Sequence, residues 1–197
     1  MIKKGIFYIS ILLTVAFISS GFKPYSPQIN NSHLDENKYV NTNIPFKGKY
    51  FIGFKEAIAY KESQGKYNKI NTLGYLGKYQ FGMNTLKSIG INDSNSFIRN
   101  PKLQEKAFVT LLSKNKYELQ DYISDFEGKV IDGVKITESG ILAAAHLGGI
   151  GSVKRFLDSN GERKCKDEYG TSVRTYLKDF GGFETAGIIA DKDAKIK

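Results

Sequence analysis

The stretch FIGFKEAIAYKESQG, residues 51–65, decides how the rest of this chain is read. Phe51, Phe54, Ala57, Ile58 and the stem of Lys61 recur at three-to-four spacing, the period of one apolar helix face. Gly65 supplies the stop, because glycine enters the left-handed conformation that ends helices without a steric penalty. The spacing therefore predicts a helix whose last turn holds Glu62 and Ser63. A helix C-terminus carries partial negative charge, so a carboxylate there is electrostatically misplaced. Misplacement and burial both favour the protonated carboxyl, and a carboxylic acid that keeps its proton near neutral pH can serve as a general acid. The competing reading is a solvated surface glutamate, which describes most glutamates.

Working toward the C-terminus, residues 74–82 read GYLGKYQFG. Three glycines around aromatic residues and Gln80 give a backbone that a ligand can approach closely. Tyr75 and Tyr79 could stack on sugar faces, and the Gln80 amide both donates and accepts. An ordinary tight hairpin with tyrosines at the core edge is the alternative. A third segment, Ala143-Ala144-Ala145-His146-Leu147-Gly148-Gly149, combines small residues suited to close helix packing with a histidine where glycines end the helix. Its plain alternative is a core helix with one satisfied histidine.

The remaining elements follow from local signals. Met83–Ile89 reads as a short helix ended by Gly90. Asn100-Pro101 is a strong helix start, with Asn as cap and Pro in the first turn. From there Leu103, Ala107, Leu111, Leu112, Leu119, Tyr122 and Ile123 carry one helical face to about Ile123. Asp132-Gly133 between Val130-Ile131 and Val134–Ile136 predicts a β-hairpin. Thr137 caps a helix over 140–147, a further helix spans 152–157 before Asn160-Gly161, and Thr171 caps a helix over 172–180 that Gly181-Gly182 stops. Many short helices with small hairpins define an α+β class, predominantly α-helical.

On the N-terminal side, Met1-Ile2-Lys3-Lys4 precedes an apolar run to Ile18 and the small residues Ser19-Ser20-Gly21. This is the order of a secretory signal, with cleavage expected after Gly21. The run is about 14 residues, short of the roughly 20 a membrane span needs; a retained N-terminal anchor is the alternative. Residues 22–48 hold Pro24, Pro27 and Pro45 among many Asn and Ser and read as a linker or arm. The expected organisation is a signal at 1–21, the arm at 22–48, a working domain at 49–183 and a polar C-terminal tail at 184–197, frayed from Asp191 onward.

The composition bounds the function. The 197-residue chain is 41% hydrophobic and 25% charged, close to a soluble globular average, so it can bury a core without staples. Twelve Tyr and 13 Phe exclude pervasive disorder. One cysteine excludes a disulfide scaffold, and with only His33 and His146 beside it a zinc cluster is not expected. No cofactor is expected. The net charge of +9 falls to +7 when Lys3 and Lys4 leave with the signal, and it points to a polyanionic partner. Export and scattered lysines without a basic run argue against nucleic acid.

Taken in order, the Glu62-Ser63 helix end, Gly77-x-Tyr-Gln80-Phe-Gly82, and Ala144-Ala-His146-x-Gly-Gly149 resemble the lysozyme-like lytic transglycosylases and goose-type lysozymes. The resemblance runs from about Lys49 to Phe183. Gly170-Thr171-Ser172-Val173 with Tyr176 and Phe180 also resembles the closing helix of some members. The resemblance implies a lysozyme-like domain that cleaves the β-1,4 bond between N-acetylmuramic acid and N-acetylglucosamine in peptidoglycan strands, in the bacterial cell envelope outside the cytoplasm. It implies Glu62 as catalytic acid/base, Ser63 and Gln80 as site-lining residues, and His146 where the family usually has Tyr. With no Trp in the chain, stacking would fall to Tyr67, Tyr75 and Tyr79.

Glycosidases commonly use two carboxylates. Glu56 lies six residues before Glu62, off its face at helical spacing; Asp93, Glu138 and Asp167 are the possible second partners, and no local pattern favours any of them. A single acid fits a transglycosylase that forms a 1,6-anhydro product; a second carboxylate in the cleft would favour a hydrolytic lysozyme. A non-catalytic glycan-binding wall module is a further reading. A thiol enzyme built on Cys165 and His146 lacks any family signature around the cysteine, and the flanking Lys164 and Lys166 read equally as a solvated loop.

Overall fold

The fold is built around a helix that is apolar on nearly every side. In the computed structural model, which describes residues 48–166 and 170–196, Glu138–Gly148 forms this helix, and Ser139 to Ala145 are all buried. A helix buried all round must be enclosed by others. Its small residues make the enclosure tight: a Cβ on Gly140 would lie 2.7 Å from the carbonyl oxygen of Leu177, so the neighbouring backbone rests directly on it.

We number the elements along the chain. They are α1 (Phe51–Ser63), α2 (Met83–Ser88), α3 (Ser94–Ile98), α4 (Pro101–Glu118), α5 (Gln120–Phe126), β1 (Val130–Ile131), β2 (Val134–Lys135), α6 (Glu138–Gly148), α7 (Ile150–Asp158) and α8 (Val173–Asp179). The central α6 packs against α8, α7 and α4. The two strands pair antiparallel, Val130 with Lys135 and Ile131 with Val134. The described chain is therefore mostly helical with one small antiparallel sheet, an α+β arrangement.

The local signals account for most boundaries. Gln64 (φ 58°) and Gly65 (φ 76°) both turn left-handed and end α1. The Leu103 amide donates to the Asn100 side chain at 3.0 Å, with Pro101 in the first turn of α4. Asp132 (φ 49°) and Gly133 (φ 72°) both have positive φ, as a two-residue type I′ hairpin requires. The Gly140 amide donates to Thr137 Oγ1 at 3.2 Å and caps α6.

Four expectations need correction. The helix expected from Asn100 to about Ile123 breaks at Leu119, which ends α4 and begins α5. Helix α3, capped by Asp93, was not anticipated; it spans only five residues, too short to show a period. The cap of α8 is Ser172 rather than Thr171, its Oγ accepting from the Thr175 amide at 3.1 Å. The C-terminal residues are not frayed at 191–196: Ile188 and Ala194 are buried, the Asp191 amide donates to the Ser113 carbonyl, and the Ile196 amide donates to that of Ile89 at 2.8 Å. The expected signal at 1–21 and the arm up to residue 47 lie outside the described residues. Among the described residues no helix is long and apolar enough to cross a membrane.

Candidate functional site

A cleft of about 380 Å³ opens where the end of α1, the glycine-rich turns after it, the end of α6 and the start of α8 meet. Glu62, Tyr75, Gln80 and His146 all line it, together with Lys61, Lys69, Asn71, Leu147, Thr171 and Tyr176. Three segments separated by as much as 84 positions thus contribute to one surface, as their order along the chain suggested. A second hollow of about 720 Å³ shares Tyr75, His146 and Leu147 with the first and continues past Ser88, Lys114 and Glu118.

Glu62 sits one residue from the end of α1 and is half-buried. The Lys69 ammonium donates to its backbone carbonyl at 3.3 Å. Among the described residues lining the first cleft, Glu62 is the sole carboxylate. The other acidic candidates have different work. Asp93 caps α3, Glu56 pairs with Lys78 at 2.6 Å, and Glu138 pairs with Lys116 at 2.9 Å. Asp167 lies outside the described residues.

Gln80 is held in a left-handed conformation (φ 49°) that side chains other than glycine adopt at some cost. Its Nε2 donates to the carbonyls of Gly77 at 2.7 Å and Lys69 at 3.3 Å. Those bonds fix the amide's orientation and leave Oε1 as a buried acceptor without a protein partner. His146 makes a parallel arrangement. Its Nε2 lies 3.0 Å from the Tyr79 carbonyl, which can only accept, so Nε2 carries the proton. Nδ1 is then an acceptor, and it too is buried without a partner. Part of the residue reaches the cleft, but enclosure of the ring pushes the imidazole down to about 4, against the opposing pull of the Tyr79 carbonyl. His146 is therefore neutral at physiological pH. Its ring packs edge-to-face with Phe108 and Phe81, at centroid distances of 5.1 and 5.6 Å.

Tyr79 itself corrects an expectation. It is fully buried, its ring stacked on Phe108 with centroids 4.0 Å apart, and its hydroxyl donates to Glu105 at 2.9 Å. It presents no face to a ligand. Ser63 is likewise buried, and its hydroxyl donates to the Lys78 carbonyl at 2.7 Å, tying α1 to the turn rather than reaching the cleft. Tyr67 also turns away from the cleft lining and donates to Glu105 at 2.8 Å. Of the three tyrosines considered as platforms, only Tyr75 lines the cleft.

Behind the turn lies a compact charged network. Lys78, almost wholly buried, donates to Glu56 at 2.6 Å and Glu105 at 2.8 Å. Lys55 also reaches Glu105, at 2.7 Å. Burial by itself would raise the Glu105 carboxyl, but the bonds from Lys55, Lys78, Tyr67 and Tyr79 outweigh it and bring it down to about 2. Burial would likewise lower the Lys78 ammonium, and its bonds to Glu105 and Glu56 instead raise it. Burial and the neighbouring Glu105 raise the Tyr79 hydroxyl far above its usual range.

Sequence reasoning missed Lys61, Lys69 and Asn71 as cleft residues. Asn71 carried a usable signal. Its Oδ1 accepts from the Leu73 and Tyr75 amides, the first of these being the turn in which an asparagine side chain bonds the backbone two residues on. The two lysines carried none, since each looks like a solvated charge. Cys165 packs against the apolar core and is not among the residues lining the first cleft; its carbonyl accepts the Val173 amide at 2.9 Å. No family model, curated protein or solved structure matches the chain.

Proposed function

We propose that this chain is an exported lysozyme-like enzyme that cleaves the β-1,4 bond between N-acetylmuramic acid and N-acetylglucosamine in peptidoglycan, with Glu62 as the catalytic acid. The observation that carries the reading is the convergence of Glu62, Gln80 and His146 on one cleft in which Glu62 is the sole carboxylate among the described lining residues. These are the residues of the three ordered motifs.

One carboxylate suits a transglycosylase better than a two-carboxylate hydrolase. Glu62 gives its proton to the glycosidic oxygen as the bond from that oxygen to C1 breaks. The neighbouring N-acetyl oxygen of the substrate supports the electron-poor C1. The substrate's own C6 hydroxyl then bonds to C1, and its proton passes to Glu62. The acid is restored and the product carries a 1,6-anhydro ring. Gln80 and His146 line the cleft, and among the described residues their acceptors Oε1 and Nδ1, buried within its wall, have no partner. Lys61 and Lys69 place positive charge on a cleft whose ligand would carry stem-peptide carboxylates.

The test is release of soluble muropeptides from purified sacculi by the wild type and by Glu62→Gln. The expected result is release by the wild type alone, with products one water lighter than hydrolytic muropeptides. Products of hydrolytic mass would make the enzyme a muramidase. Equal release by both proteins would remove Glu62 from its role, and binding without release by either would identify a glycan-binding module.

A further inference from the structure

Helix α4 grips the turn at 77–81 from behind the cleft. Gln104, completely buried, accepts the Lys78 amide at 2.8 Å. One residue on, Glu105 holds the tip of the Tyr79 side chain, and one turn further Phe108 covers its face. The Tyr79 ring is thus fixed at both its hydroxyl and its plane. The backbone of the same residue points the other way, and its carbonyl is the partner of His146 Nε2. The next residue, Gln80, is in the unfavourable left-handed conformation and needs such restraint to stay there.

We propose that Glu105, which does not line the cleft, is a positioning residue for it: by holding the Tyr79 hydroxyl against α4, it fixes the Tyr79 carbonyl that sets the tautomer and orientation of His146. The geometry supports this in three ways. Glu105 Oε2 faces both Tyr79 and Lys55, so the acceptor is itself held in place. Phe108 touches both the Tyr79 ring and the His146 ring, so a shift of one is felt by the other. Among the described residues His146 Nδ1 has no partner, so the bond to the Tyr79 carbonyl is the single hydrogen bond holding the ring there.

The inference rests on the proposed reading of the cleft for its consequence in catalysis, but its first readout needs no activity. Nitrogen NMR of imidazole-labelled protein at neutral pH reports the tautomer directly, with the His146 signals identified as those lost in His146→Gln. The expected wild-type spectrum shows one form, protonated at Nε2. Tyr79→Phe and Glu105→Gln, both nearly isosteric, should shift or mix the two nitrogen signals while thermal unfolding remains cooperative. Muropeptide release should fall at least tenfold in both.

Unchanged His146 signals in the folded variants would overturn the proposal, even if their stability fell. Altered signals with wild-type release rates would overturn it too. If the wild type releases nothing from sacculi, the proposed activity fails, and the NMR comparison alone then decides the positioning claim. Should Glu105→Gln not fold, Tyr79→Phe removes the same bond while leaving every charge in place.

Discussion

The two sides of the turn at 77–82 are built on opposite principles. On the α4 side every charge is answered. Lys78, Glu105, Tyr67, Tyr79 and Lys55 form one network, and Gln104 adds bonds to the Lys78 amide and to the carbonyls of Tyr67 and Phe97. On the cleft side, Gln80 Oε1 and His146 Nδ1 are buried acceptors left without partners. A buried polar atom without a partner costs about 1–3 kcal/mol, so such atoms persist only where something compensates. The braced side offsets that cost, and the cleft side keeps two unanswered acceptors inside its wall. Answered and unanswered polar groups are separated by the thickness of one turn.

The largest expected effect lies on the cleft side. Replacing Glu62 by Gln should reduce muropeptide release by about 100-fold or more, the usual worth of a general acid. The melting temperature should stay within about 2 °C, since the change is confined to the cleft. A large loss of stability would mean that Glu62 belongs to the structural brace instead.

Next comes Gln104→Ala, on the braced side. It strands a buried amide and several carbonyls at once and should cost about 2–4 kcal/mol in denaturant unfolding. A cost below about 1 kcal/mol would show that the brace is loose and weaken the contrast.

Acid separates the two sides in a single experiment. His146 is held down to about 4 in the fold, against an ordinary value of 6.5. The unfolded chain therefore takes up the proton first as pH falls, and stability drains between about 6.5 and 4. Glu105 is held at about 2 against an ordinary 4.5, so its share is present above 4.5 and drains between about 4.5 and 2. Melting temperature followed against pH should fall in two stages. His146→Gln should flatten the upper stage and Glu105→Gln the lower. A single stage unaffected by either variant would break the distinction.

The smallest effect is expected at Lys55. Its pair with Glu105 is partly exposed, and Glu105 keeps three other donors without it. Lys55→Met should cost no more than about 1 kcal/mol, a loss that grows smaller in high salt.

The sequence was most legible where the cause was local. The end of α1 followed from Gly65, the start of α4 from Asn100-Pro101, and the hairpin from Asp132-Gly133, because each uses residues within a few positions of the effect. The same reasoning singled out Glu62, Gln80 and His146, which the structure brings to the lining of one cleft. It failed on Tyr75 against Tyr79. Both sit in the same glycine-rich stretch, and only the tertiary packing of Phe108 and Glu105, 29 and 26 residues beyond Tyr79, buries one and exposes the other to the cleft. Ser63 was misplaced for the same reason, since its partner carbonyl at Lys78 comes from a later turn. Glu105 gave no hint of its role. On the sequence it is one more charge on a helix, and nothing nearby announces the tyrosines and lysines that gather round it.

The bare backbone at Gly140 carries a consequence for the shape of the cleft. With the Leu177 carbonyl where a methyl group would have to go, α8 stands as near to α6 as two chains can. Leu177 is the neighbour of Tyr176, which with Thr171 forms one wall of the cleft, while His146 on α6 forms another. The close crossing of the two helices that carry those walls thus depends on the absence of a single carbon atom. An added methyl group at that crossing would push the two helices apart without altering any residue that lines the cleft.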